Sequence, residues 1–83
     1  SKEYFSAIDF KNLKGEVITP VFKEKKNGEY KIISFAAKRA RGMMSQYIIK
    51  NKVNDKEGIK NFDMDNYKFS SSMSSENEFT FIR

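Results

Sequence analysis

Residues 34–52 form the part of the sequence that most restricts the fold. When they are placed about 100° apart, as in an α-helix, their apolar side chains gather on one broad face. The residues on this face are Ala36, Ala40, Met43, Met44, Tyr47 and Ile48. Such a face is stable in water only when it is packed against other parts of a protein. We therefore predict that a strand ends near residue 34 and leads into one long amphipathic helix.

The opposite face of this predicted helix is basic. No Asp or Glu occurs between Ala36 and Lys52, and the face carries five cations, Lys38, Arg39, Arg41, Lys50 and Lys52. The chain has 16 Lys and Arg residues, 11 Asp and Glu residues and a net charge of +5, so the other residues together are neutral. The helix dipole disfavours cations near the N-terminus by about 0.3 to 1 kcal/mol each, and a bound phosphate would offset that cost. We predict that these five side chains contact a nucleic-acid backbone; the alternative is a solvated face, or one paired with acids elsewhere.

Small residues on the same face suggest a second role. Gly42 and Ser45 lie beside Ile49, an apolar residue in the middle of the polar side. A glycine inside a helix costs about 1 kcal/mol relative to alanine, so Gly42 indicates close approach of another backbone. We predict that Gly42, Ser45 and Ile49 pack against a segment or partner outside this sequence, with isolated exposure of Ile49 as the alternative.

The composition excludes several classes of active site. The chain contains no His and no Cys, which removes imidazole bases, thiol nucleophiles, disulfides and the usual zinc ligands. Asp63 and Asp65 resemble the start of a calcium loop, but Lys68 and Ser74 occupy the positions that need Gly and Glu. We expect no enzyme activity, no metal and no cofactor of its own.

The rest of the pattern predicts an α+β chain of one domain at most. A short helix follows Ser1, and strands at 16–25 and 30–35 flank Asn27 and Gly28, a pair suited to a type I′ hairpin turn. This turn would place Lys26 opposite Glu29, Glu24 opposite Lys31, and Phe22 opposite Ile33. A helical turn from residue 54 and two C-terminal strands, 67–69 and 78–82, complete the fold. We predict antiparallel hairpins packed on one long amphipathic helix.

The sequence also predicts where the protein is located in the cell and whether it associates with other chains. The sequence has no apolar run of the roughly 20 residues that span a membrane and no signal-peptide pattern, so we expect a cytoplasmic protein without a membrane partner. It opens at Ser1 directly in an amphipathic pattern, and we expect part of a larger protein. Apolar residues on both faces of the predicted hairpin also suggest self-association.

Three segments carry a resemblance to a known family. Residues 17–24 (Val-Ile-Thr-Pro-Val-Phe-Lys-Glu), 31–34 (Lys-Ile-Ile-Ser) and above all 37–44 (Ala-Lys-Arg-Ala-Arg-Gly-Met-Met) are similar to the C-terminal third of the YaaA family of bacterial peroxide-stress proteins. The resemblance spans nearly all 83 residues. Ala36 and Gln46 depart from the family pattern, and the helix-hairpin-helix associated with DNA binding in the family has no counterpart here.

The resemblance implies that residues 1–83 are the C-terminal portion of a longer YaaA-like domain. It implies a cytoplasmic protein that limits oxidative damage by lowering free iron and that binds DNA. The alternative is a non-catalytic structural module whose helix docks on the missing N-terminal part or on a protein partner.

Overall fold

The computed structural model describes the backbone of residues 10–11 and residues 17–83 in full. Five strands form one mixed sheet, and one main helix packs on it, which confirms the predicted α+β class. The strands are β1 (Phe10–Lys11), β2 (Val17–Lys26), β3 (Glu29–Lys31), β4 (Lys68–Ser70) and β5 (Glu78–Ile82). The helices are α1 (Ser34–Lys50), α2 (Lys56–Lys60) and a 3₁₀ turn, Met64–Asn66. The helix predicted after Ser1 lies outside the described residues.

The hairpin between β2 and β3 has the predicted turn. Asn27 and Gly28 have φ values of 53° and 82°, and a type I′ turn needs positive φ at both central residues. Lys26 lies opposite Glu29 and Glu24 opposite Lys31. The local chemistry of the turn therefore sets the register of this strand pair.

The predicted return strand, in contrast, is too long. β3 ends at Lys31, and α1 begins at Ser34, so Phe35 belongs to the helix, where it is 75% exposed. The prediction that Phe22 pairs with Ile33 is wrong, because the pairing of β2 with β3 stops at Glu24 and Lys31 and does not reach either residue. An early start of the helix buries Ala36 and Ala37, which explains why the helical pattern prevails over a longer strand.

The long strand β2 holds the sheet together. It pairs antiparallel with β1 and β3, and in parallel with β5 through residues 19–23 and 78–82. The parallel pair differs from the predicted arrangement of antiparallel hairpins alone. It is possible because α1 and α2 lie in the connection between the two strands. The predicted C-terminal pair, β4 with β5, is antiparallel as expected.

The core lies between α1 and the sheet. Ala40 and Met44 of the helix are fully buried, as predicted, and Met43, Tyr47 and Ile48 are half-buried beside them. Two strand residues and two residues between α2 and β4 form an aromatic cluster in which ring centroids lie 5.1 to 5.7 Å apart: Phe22 and Phe81 from the strands, and Phe62 and Tyr67 from the connection. Alanines on the inner face let the helix approach these rings closely.

The other face of β5 is covered by the serine-rich loop that precedes it. Thr80 is 1% exposed, and its hydroxyl donates a hydrogen bond to the carbonyl oxygen of Met73 at 2.9 Å. The backbone amide of Thr80 donates to the Ser74 hydroxyl at 2.8 Å. This loop therefore buries the outer face of the sheet at Thr80. So short a chain has few other residues with which to cover that face.

Candidate nucleic-acid interface

The outer face of α1 carries most of the predicted basic residues. Lys38, Arg39 and Lys50 are exposed on the helix, and Lys52 is exposed just after its end. The first turn has no acidic residue, and the N-cap residue, Ile33, provides no side-chain hydrogen bond. The first turn of α1 therefore contains no carboxylate that would offset the positive end of its dipole.

Arg41 lies elsewhere, and the prediction that it belongs to the exposed face is wrong. Its residue surface is 5% exposed. Arg41 follows Ala37 by four positions and precedes Met44 by three, and both of these residues are buried. Residues with these spacings lie on the same side of a helix, so the stem of Arg41 packs at the border of the apolar face. These spacings can be read from the sequence, and they would have placed Arg41 beside the apolar face of the helix.

Arg39 is exposed but has an ion-pair partner. Its guanidinium lies 3.2 Å from the Asp65 carboxylate, and the two side chains are 59% and 36% exposed. Asp65 also accepts a hydrogen bond of 2.6 Å from Arg83, the last residue of the chain. Arg39 therefore follows the alternative stated for the basic face, in which a cation pairs with an acid from another part of the chain.

Arg83 extends this contact into a network that sequence reasoning did not identify. Its guanidinium lies 3.2 Å from the Glu24 carboxylate and 4.6 Å from the centre of the Tyr67 ring. Asp65 itself has a φ of 56°, in the left-handed region that Asp and Asn tolerate better than most residues. The partners of Arg83 are 16 to 59 residues away from it in the sequence, so no local pattern indicates the network.

Burial and charge shift the pKa values of two members. Burial raises the pKa of the Tyr67 hydroxyl; the positive charge of Arg83 opposes this shift, and Glu24 adds to it. Burial lowers the pKa of Arg83, but its hydrogen bonds to Glu24 and Asp65 outweigh that effect and raise the pKa above its usual value. Arg83 therefore keeps its charge and holds the two carboxylates together.

The remaining cations face solvent. Within residues 17–83, no carboxylate lies within ion-pair distance of Lys38, Lys50 or Lys52. Lys38 and Lys50 are twelve residues apart, which corresponds to about 18 Å along the helix. Lys38 and Lys50 thus lie near the two ends of α1, about 120° apart around its axis, and Lys52 lies just beyond its end.

The predicted packing residues also lie on or beside this outer face. Gly42 is exposed, and a side chain at its position would meet no atom within 4 Å. Ile49 is 77% exposed, while Ser45 is half-buried. Their role in packing stays a prediction, because nothing among the described residues covers Gly42 or Ile49.

Neither a metal-binding cluster nor a membrane-spanning helix occurs among the described residues. No group of three or more carboxylates in that part of the chain is arranged to hold a metal ion. None of its helices combines the length and the apolar character that a membrane span needs.

Comparison with known proteins places the chain in a family. A family described as "Peroxide stress protein YaaA" matches residues 1–73. The chain belongs to the YaaA family. Similar curated proteins are the UPF0246 proteins of Alteromonas mediterranea, Saccharophagus degradans and Shewanella oneidensis, at 57%, 58% and 57% identity. Each match covers all of this chain but 32% of the relative, so the chain spans about a third of the length of these relatives.

Proposed function

We propose that this chain serves a cytoplasmic peroxide-stress protein of the YaaA family by contacting DNA phosphates through the outer face of α1. The contact residues are Lys38, Arg39, Lys50 and Lys52. The observation that carries the proposal is the acid-free outer face, on which Lys38 and Lys50, with Lys52 just beyond, face solvent without a nearby carboxylate. Duplex DNA carries about one negative charge per 1.7 Å of its axis, so a row of cations of this length meets several phosphates at once.

Arg39 joins this contact by leaving the Asp65 carboxylate and binding a DNA phosphate instead. An ion pair as exposed as Arg39 with Asp65 contributes only about 0 to 1 kcal/mol. A phosphate near the N-terminus of α1 would accept hydrogen bonds from the guanidinium and would also interact favourably with the helix dipole. Asp65 would keep its shorter contact with Arg83 after the exchange.

Binding of this kind needs no catalytic residue, and we propose a non-catalytic role for the chain. Lowering of free iron, the other activity that the family resemblance implies, is a proposal for the longer protein. Arg41 is left out of the contact, because a residue 5% exposed does not reach a phosphate without rearrangement.

Fluorescence anisotropy of a labelled duplex of about 20 base pairs tests the proposal. Four phosphate contacts predict a slope of log K against log salt of about −3.6, or an affinity loss of roughly 100-fold between about 50 and 200 mM salt. Absence of binding at the lower salt concentration, or binding that does not respond to salt, would contradict a phosphate contact by this chain.

A further inference from the structure

Three residues of α1 form a line of unusual composition on its outer face. Phe35, Gly42 and Ile49 are seven positions apart, so they lie within about 40° of one another around the helix. Phe35 is 75% exposed and Ile49 is 77% exposed. Between them, the position of Gly42 is open for at least 4 Å. We call these three residues the outer stripe; it consists of two large apolar side chains with a notch between them.

Each residue of the outer stripe is unfavourable for the stability of the 83-residue chain when nothing packs against the stripe. The other large apolar residues with exposed surface in residues 17–83 are Val17, Tyr30 and Met64, which are 36 to 42% exposed. Phe35 and Ile49 are nearly twice as exposed as these. Gly42 lies inside a helix, where alanine would be more stable by about 1 kcal/mol, and no neighbouring atom requires its small size. A segment packed along the stripe, with a side chain in the notch, explains all three residues.

We propose that the outer stripe is the docking surface for the part of the same polypeptide that this chain lacks. The UPF0246 relatives match this chain over 32% of their length, so about two thirds of a full-length protein lies outside it. An intramolecular contact also avoids the loss of translational freedom that a separate partner would pay. A docking surface with only two large apolar side chains is therefore sufficient within one chain.

The charges beside the stripe argue against a second copy. Lys38 lies on one side of the stripe, and Arg39 and Lys50 lie on the other. Two copies that met through the stripe would bring these cations together, and like charges in an interface cost several kcal/mol. The same charges specify the occupant: a segment with a large apolar side chain for the notch and with Asp or Glu beside it.

Thiol labelling of the full-length protein, treated with nuclease to remove bound DNA, tests the docking. The 83 residues contain no cysteine, so Ile49→Cys introduces a unique probe that peptide mass spectrometry can follow. The matched control is Glu29→Cys in the β2–β3 hairpin, where the glutamate side chain is 71% exposed. We expect Ile49→Cys to react with a maleimide at least 100-fold more slowly than the control, after each rate is divided by its rate in the urea-unfolded protein.

Equal normalised rates for the two variants would overturn the proposal. So would slow labelling that becomes fast on dilution, since it would assign the stripe to a second copy. If Ile49→Cys loses the circular dichroism spectrum of the unmodified protein, Phe35→Cys at the other end of the stripe replaces it, with the same expected ratio. A segment docked on the outer stripe would lie between Lys38 and Lys50 and would exclude DNA from them, so the labelling is done without DNA. Anisotropy with the 83-residue chain tests the phosphate contact and labelling of the full-length protein tests the docking, so the two proposals can fail separately.

Discussion

Replacing Phe81 with alanine is expected to lower the free energy of unfolding of the 83-residue chain by about 3 to 5 kcal/mol. Phe81 is completely buried on β5, between β2 and β4. Its ring lies 5.4 Å from that of Phe22 in a stacked arrangement and 5.6 Å from that of Phe62 in an edge arrangement. Truncation removes these contacts and leaves a cavity where three structural elements meet. Urea denaturation followed by circular dichroism measures the change.

The control for Phe81 is an aromatic residue of the hairpin. Tyr30 is 39% exposed, and Tyr30→Ala is expected to cost less than about 1 kcal/mol. Small domains are stable by only about 5 to 15 kcal/mol, so Phe81→Ala should bring the chain close to unfolding. Similar losses for the two variants would contradict the position of the aromatic cluster at the centre of the core.

The substitution Gly58→Ala is expected to destabilise the chain by about 1 to 3 kcal/mol. A Cβ atom at Gly58 would lie 2.8 Å from Cγ1 of Val53 and 3.2 Å from the Asp55 carboxylate. The backbone cannot move away freely, since the Gly58 amide donates to Asp55 at 2.8 Å and its carbonyl accepts from the Tyr47 hydroxyl at 2.8 Å. Burial, with a smaller effect of Asp63, raises the pKa of Tyr47, so this hydroxyl keeps its proton at neutral pH.

Gly42 provides the matched control, because the same substitution there meets open space. Gly42→Ala is expected to stabilise the 83-residue chain by about 1 kcal/mol, since alanine has the higher helix propensity. Thermal unfolding of the two variants compares the signs directly. A loss of stability at both positions, or at neither, would mean that the spaces around the two glycines are not as described.

The sequence predicts those parts of the fold that depend on neighbouring residues. The helix over residues 34–50 follows from apolar side chains repeated at helical spacing, and the hairpin turn follows from the backbone freedom of Asn27 and Gly28. Both signals are local. The same periodicity correctly places Ala40 and Met44 in the core.

Contacts between distant residues could not be predicted in this way. The parallel pairing of β2 with β5 joins residues 59 positions apart, and no pattern in either strand specifies the other. In the sequence, Asp65 resembles only the start of an incomplete calcium loop, yet in the structure it lies between Arg39 and Arg83. The sequence therefore predicted the helix that carries the candidate residues, but not that Arg41 is buried or that Arg39 is paired with Asp65, and the DNA contact itself stays a prediction.

The central claim is that the lysines of α1 carry the DNA contact, and a charge-matched comparison tests it most directly. Lys38→Gln/Lys50→Gln removes two exposed charges from α1, whereas Lys25→Gln/Lys26→Gln removes two exposed charges from the hairpin. Anisotropy with a labelled duplex is recorded for both variants over a range of salt concentrations. The account predicts that the α1 variant binds more weakly and that its slope of log K against log salt becomes shallower by about 1.8, while the hairpin variant keeps the original slope. Equal slopes for the two variants would contradict the claim.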